Sequence, residues 1–241
     1  MNIIWQETML HLKLNFRERQ AVFWGFLFPI FLLFLFCSVF GGSPQRSTAL
    51  LAGLITINVM AGALFGTAVI IVGAREQGTL RRYALAPVAR GKIILGLIYS
   101  RLISITLTTL LLIVVARLVY HIVWPAHPGA LVAIYFVGTL MFCSIAFVLA
   151  SLASSVVAAN GIAQVLFMPM MFLSGATFPA ELMPTWLQKI AAVLPSTYYV
   201  AALKSVMSGG GTISDNALNL ALMSSFAVVG VIISARFFRW T

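Results

Sequence analysis

Only five carboxylates occur in 241 residues, against fifteen lysines and arginines. They are Glu7, Glu18, Glu76, Glu181 and Asp215, and none falls in the middle of a long apolar run. A proton-driven carrier generally needs an ionisable relay inside the bilayer, so the shortage disfavours secondary transport by protons. It also disfavours an intramembrane hydrolase, which needs a nucleophile, a base and an orienting group within mutual reach. The three histidines are His11 near the start and His121 and His127 in one polar gap. The latter two lack the one-turn spacing of a helical metal pair and have no carboxylate beside them, so neither a metal nor a catalytic site is expected. Cys37 and Cys143 lie in separate apolar runs and read as small packing residues. No G-x-x-x-x-G-K-[ST] occurs, so the chain is expected to hold no nucleotide or other cofactor itself, and any energy must come from another chain. The first 20 residues lack the apolar core and cleavage site of a signal peptide, and the N-terminus is expected to be retained.

What the chain has is apolar surface. Hydrophobic residues make up 61% of it, charged residues only 8%, and the mean hydropathy is +1.05. A soluble domain of this length cannot hide so much. The net charge of +10 could suit nucleic acid, but that requires basic residues gathered on one solvated face of a soluble fold. Here they fall in gaps between apolar runs, as headgroup contacts and the positive-inside rule require.

A membrane-spanning helix needs roughly 20 apolar residues, and six runs qualify: Ala21 to Gly41, Thr48 to Gly73, Ile93 to Ala116, Ala130 to Ser154, Gly161 to Phe178 and Ala217 to Ala235. The expected fold is all-α and polytopic, a single domain over 1–241 without repeats. With the N-terminus inside, ten basic residues lie on the inner face and four (Arg46, Arg117, Lys189, Lys204) on the outer. This places both termini in the cytoplasm of a cell membrane. Arg101, inside the third run, is expected to snorkel to the inner headgroups or to bond within the bundle.

Residues 1–20 repeat Trp5, Met9, Leu12 and Phe16 at helical spacing, opposite Lys13, Arg17 and Glu18. This predicts an interfacial helix with that stripe on the acyl chains. Residues 179–216 are expected to form short outer helices, re-entrant or interfacial, and a loop. Thr185 should cap a short helix with Trp186, Leu187, Ile190 and Leu194 on its apolar face, and Pro195 should stop it. Ser214, Asp215 and Asn216 offer caps for the last span. Gly62 and Gly66 form a G-x-x-x-G that permits close helix approach, within the chain or between copies.

The stretch "GAREQGTLRRYALAPVARGK", Gly73 to Lys92, holds six charged side chains between two apolar runs. Gly78 can break the incoming helix, Thr79 can cap a new one, and Leu80 to Ala86 make about two turns before Pro87. Arg81, Arg82 and Tyr83 would project from it. Either it anchors to lipid headgroups, or it is a docking helix for a soluble partner.

At "REQGTLRRYALAPV", from Arg75, the chain resembles the ABC-2 type permeases, the membrane subunits of ATP-binding-cassette exporters, with Glu76, Gly78, Thr79, Leu80 and Pro87 in matching places. A second block, "FLSGATFPAELMPTWLQKIAAVLPSTYYVAALK", Phe172 to Lys204, resembles that family's fifth helix and outer short helices. The resemblance implies two permease copies, as a homodimer, with two cytoplasmic ABC ATPase subunits that hold ATP and Mg²⁺. It also implies a coupling helix from Arg75 to Pro87 within segment 74–92, and a substrate path lined by the first, second and fifth helices. Asn58, Asn160 and Gln164 are uncharged polar residues in or beside those runs, and Met168, Met170 and Met171 give an adaptable wall. Each could equally be packing. With few fixed charges along such a path, an amphiphilic cargo is expected: a drug or natural product, a lipid, or alternatively a lipid-linked glycan. An ATP-independent channel or carrier is the rival reading.

Overall fold

The computed structural model describes residues 3–78, 90–177 and 183–237, and all elements among them are helical. Six helices are long and apolar enough to cross a bilayer. In chain order they are α2 (Arg19–Phe40), α3 (Pro44–Glu76), α4 (Arg90–Tyr120), α5 (Pro128–Leu152), α6 (Val156–Leu173) and α9 (Ala217–Phe237). They are joined by α1 (Ile3–Arg17) and the short pair α7 (Thr185–Ala191) and α8 (Pro195–Ser208).

The ends are set by local chemistry. Ser43 accepts from the Arg46 N–H at the start of α3, with Pro44 at the first helical position, and Pro128 opens α5 in the same way. Several spans run past the apolar windows. α3 has 33 residues, about 50 Å at 1.5 Å per residue, well beyond a hydrocarbon layer of about 30 Å. Its polar ends therefore stand outside the hydrophobic run.

α3 is the central helix. Two thirds of its most apolar window is buried, against 11% for α2 and for α9 and 17% for α6. Packed around it are α4, α5 and α8. It is π-helical from Gly62 to Ala68. There the G-x-x-x-G serves contact within the chain: a Cβ on Gly62 would lie 2.6 Å from Ile105 of α4, and one on Gly66 would lie 3.3 Å from Cδ of Arg101. Arg101 is thus laid along α3, with Glu18 as its attracting carboxylate.

Elsewhere the structure departs from the expectations in ways with clear causes. The fifth span begins at Val156, five residues early, because Ser155 accepts from the Ala158 N–H. It ends at Leu173, before Gly175 with φ of +82°. Pro184, not Thr185, occupies the cap position of α7, since its fixed φ supports helix entry there. Pro195 opens a further helix rather than only ending the first. α7 and α8 meet at 93°, and α8 buries Ser196, Tyr199, Val200, Leu203, Val206 and Met207 in the bundle. The Tyr199 ring lies flat on Gly138 of α5, where a Cβ would approach to 2.2 Å. Asp215 braces its own loop instead of capping α9: its carboxylate accepts from the Thr212 N–H at 2.8 Å and the Thr212 hydroxyl at 2.7 Å. These bonds, the backbone one first, hold its carboxyl below the usual range. The expectations for 79–89 and 178–182 lie outside the described residues.

α1 does not lie on acyl chains by its expected stripe alone. Leu12 of that stripe is buried together with Thr8, whereas Trp5 and Phe16 are exposed. The buried side packs on α4. Thr8 Oγ1 donates to the Gly96 carbonyl at 3.1 Å, and Asn15 Nδ2 donates to Ser104 Oγ at 3.4 Å. Gly96 permits this approach, since a Cβ there would sit 2.6 Å from Cβ of Glu7.

Candidate functional site

Two places carry the predicted functional residues. The first is the end of α3 that leads into the charged segment. Of the nine residues assigned to coupling, Arg75, Glu76 and Gly78 are described; Thr79, Leu80, Arg81, Arg82, Tyr83 and Pro87 lie outside the described residues. Gly78 has φ of +68°, a conformation that favours glycine, so it ends the helix as its position in the sequence suggested. Arg75 and Glu76 turn toward the junction of α5 and α6. Arg75 Nη1 donates to the Ala150 carbonyl at 3.3 Å, and Nη2 donates to the Ala153 carbonyl. Glu76 Oε2 accepts from the Val156 N–H at 3.1 Å. The cation therefore meets the carbonyl end of one helix and the anion the N–H end of the next, each matched to the local helix dipole.

On the other side of the segment, α4 is held by α1. Glu7 and His11 form an i,i+4 pair at 3.8 Å on that contact. Burial, with Arg101 adding to it, lowers the His11 pKa despite the opposing Glu7.

The second place is the outward face of α6. Asn160, Gln164, Met168 and Met171 are spaced by four, four and three residues, which puts them on one side of the helix. The first three are exposed and Met171 is half-buried, with Val157 and Val165 strongly exposed beside them. The opposite side packs inward through Ala159, Ala163, Phe167 and Met170, and Phe167 meets Phe65 of α3 edge-on, the ring centroids 5.4 Å apart. Asn160 Nδ2 bonds its own helix at the Val156 carbonyl, 3.1 Å away. Gln164 is the ninth residue of an 18-residue helix and so sits at mid-span. Asn58 does not join this face: its Nδ2 donates to Thr109 Oγ1 at 3.1 Å and to the Ile105 carbonyl at 3.4 Å, tying α3 to α4. Among the described residues no group of three or more His, Cys, Asp or Glu could hold a metal ion.

Sequence reasoning missed the inward turn of Arg75 and Glu76 and the burial of α8. Neither had a local signal, because both depend on partners 75 or more residues away, or on other spans.

A polytopic helical bundle with a charged connector after its second span is the architecture of a membrane transport subunit. The sequence profile of the ABC-2 type transporter family matches residues 3–208, and the chain belongs to that family. It is 31% identical over 193 residues to Nodulation protein J of Bradyrhizobium diazoefficiens, covering 79% of this chain and 72% of the relative. It is 27% identical over 156 residues to the "Probable multidrug ABC transporter permease YbhR" of Escherichia coli (strain K12), covering 64% and 42%. YvfS of Bacillus subtilis (strain 168), which bears a transport-permease name, is 22% identical over 225 residues and 91% of each chain. The family implies an ABC ATPase as partner in general, and the chain is a multi-pass membrane protein.

Proposed function

We propose that this chain is the permease subunit of an ATP-driven exporter, assembled from two copies of itself and two copies of a cytoplasmic ABC ATPase that binds ATP and Mg²⁺. Both termini and the Arg75 end of the bundle face the cytoplasm of the cell membrane. Arg75 to Pro87 form the contact with the ATPase, and Arg81 and Arg82 carry its charge. The cargo is amphiphilic: a hydrophobic drug, a natural product or a lipid.

The observation that carries this reading is the face of α6. Gln164 lies exposed at mid-span, and an amide facing hydrocarbon is unfavourable. The exposed side of α9 differs: from Ala217 to Ile233 it is aliphatic apart from Ser224 and Ser225, its exposed charge, Arg236, falls in the last turn, and Ser225 bonds its own helix at Leu222. A lipid-facing role suits α9, whereas the Asn160, Gln164, Met168 and Met171 face suits contact with cargo or with the second copy. Methionines adapt to varied apolar shapes, and the name of YbhR speaks of multidrug transport for that protein.

The test is to extract the tagged chain in mild detergent from its native membranes and ask whether a P-loop ATPase co-purifies, comparing it with an Arg81→Glu, Arg82→Glu form. Co-purification lost on charge reversal supports the reading. ATP-dependent uptake of hydrophobic dyes or labelled lipids into inside-out vesicles, abolished by Gln164→Arg, then identifies the cargo class. A well-folded protein that carries no ATPase in any nucleotide state points instead to an ATP-independent channel or carrier, and uptake of lipid-linked sugar alone would assign the glycan alternative.

A further inference from the structure

Resting on the permease reading, we infer that Arg75 and Glu76 are the link through which the cytoplasmic end of the second span moves the fifth span, and with it the Asn160 to Met171 face. The two neighbouring side chains hold opposite sides of one turn. Arg75 grips the last carbonyls of α5, at Ala150 and Ala153, and Glu76 grips the first N–H of α6, at Val156. Beneath them the Val156 side chain packs on Gly73: a Cβ there would meet Val156 Cγ2 at 3.4 Å, an ordinary packing distance. Ser155, just before α6, is engaged in capping Ala158. On the start of α6, α3 thus sets Glu76 and the Gly73 contact, while Arg75 holds the adjoining end of α5.

The geometry is directional. Charges at helix ends act within the first or last turn and fall away beyond it, so a shift of the α3 terminus is resisted at Ala153 and Val156 rather than spread along α5 and α6. Further along, α6 is seated on α3 through Phe65 and Phe167. Displacing its first turn about that contact tilts the face carrying Asn160 and Gln164. Two donors of Arg75 and one oxygen of Glu76 are engaged inside the chain, so within the Arg75 to Pro87 segment these two residues pass movement on to the α5–α6 turn, while the charge offered to the ATPase is that of Arg81 and Arg82.

Glu76 is exposed and Arg75 half-buried. Exposed ionic contacts add little to stability, so their removal should leave a folded bundle, and the effect to measure is mechanical. The permease–ATPase complex is purified into lipid nanodiscs with a nitroxide on Val157→Cys, a strongly exposed site on the first turn of α6. Cys37 and Cys143 are both buried, which limits labelling elsewhere. The spectrum is compared with and without a non-hydrolysable ATP analogue. In the otherwise unaltered chain the analogue should change the spectrum. In Glu76→Ala and in Arg75→Ala the change should fall at least threefold, while the ATPase still co-purifies and hydrolyses ATP. Glu76→Gln, which keeps an acceptor for Val156, should restore part of it. Equal responses in all forms overturn the inference and leave the permease reading standing. Absence of a co-purifying ATPase from the unaltered complex overturns the permease reading first, and this inference with it. If an alanine form does not fold, the Gln form and Arg75→Lys carry the test, and unchanged responses in both overturn it.

Discussion

The chain on the two sides of the charged segment is held in contrasting ways. Before it, α3 ends in two ions that clasp the α5–α6 turn by charge and hydrogen bonds. After it, α4 is pressed on α1 at a glycine, with Thr8 and Asn15 as hydrogen-bonded fasteners and little room between backbones. One side is an electrostatic clasp that can slide or release; the other is a close-packed joint. The contrast teaches that the two spans flanking one connector can be anchored by different physics, charge and hydrogen bonds on one side and close packing on the other.

The largest way to break this contrast is Gly96→Leu. Its Cβ would meet Glu7 Cβ at 2.6 Å and the Ile4 carbonyl at 3.0 Å, and overpacking of this kind costs about 1–3 kcal/mol. The expected outcome is a lowered unfolding temperature in detergent and faster proteolysis within α1. Gly161→Leu on α6, where nothing lies within 4 Å, should leave both unchanged. A smaller effect comes from Arg75→Ala, which frees two carbonyls at the end of α5 and should cost about 1 kcal/mol in equilibrium unfolding. Thr8→Val removes the bond to Gly96 and should cost up to about 1 kcal/mol by the same measurement, with the loss confined to amide exchange in α1 and the start of α4.

The smallest expected effect sharpens the comparison through pH. Because burial holds the His11 pKa below its usual 6.5, with Glu7 opposing and Arg101 assisting, the folded state favours the neutral ring. Its contribution is present above that value and lost as pH falls through the folded pKa. Acidification should therefore loosen α1 from α4 modestly and leave the Arg75 clasp unaffected in that window. His11→Gln should flatten the slope, as followed by amide exchange in α1.

Much of this was legible in the residues. The six spans were readable because an uninterrupted apolar stretch is a local property; the residues of the α6 face were named one by one, but Met170, set in the same wall as Met168 and Met171, turns inward instead. Span ends were under-read at α3 and α4, whose polar termini extend beyond the apolar windows that betray a span. The outer pair was legible as short helices, re-entrant or interfacial, and the bent α7–α8 pair agrees, but the depth at which Ser196 and Tyr199 of α8 are buried was not. Their burial depends on Met170, Gly138 and Phe142, which come from other helices. Asn58 looked like a path residue and is occupied in fastening α3 to α4, since an amide in an apolar run states its need for a partner and not where the partner stands.

The slot that receives α8 also bears on how the chain is made. Tyr199 rests on Gly138 of α5, and α8 also packs on α3, so the seat is cut into spans synthesised far earlier than the piece that fills it. During translation, five spans would enter the membrane with an open seam that nothing in the nascent chain can yet close. The late arrival of α8 is then the keystone step of assembly. A defect there would leave a correctly inserted but unsealed bundle, of the kind that membrane quality control removes.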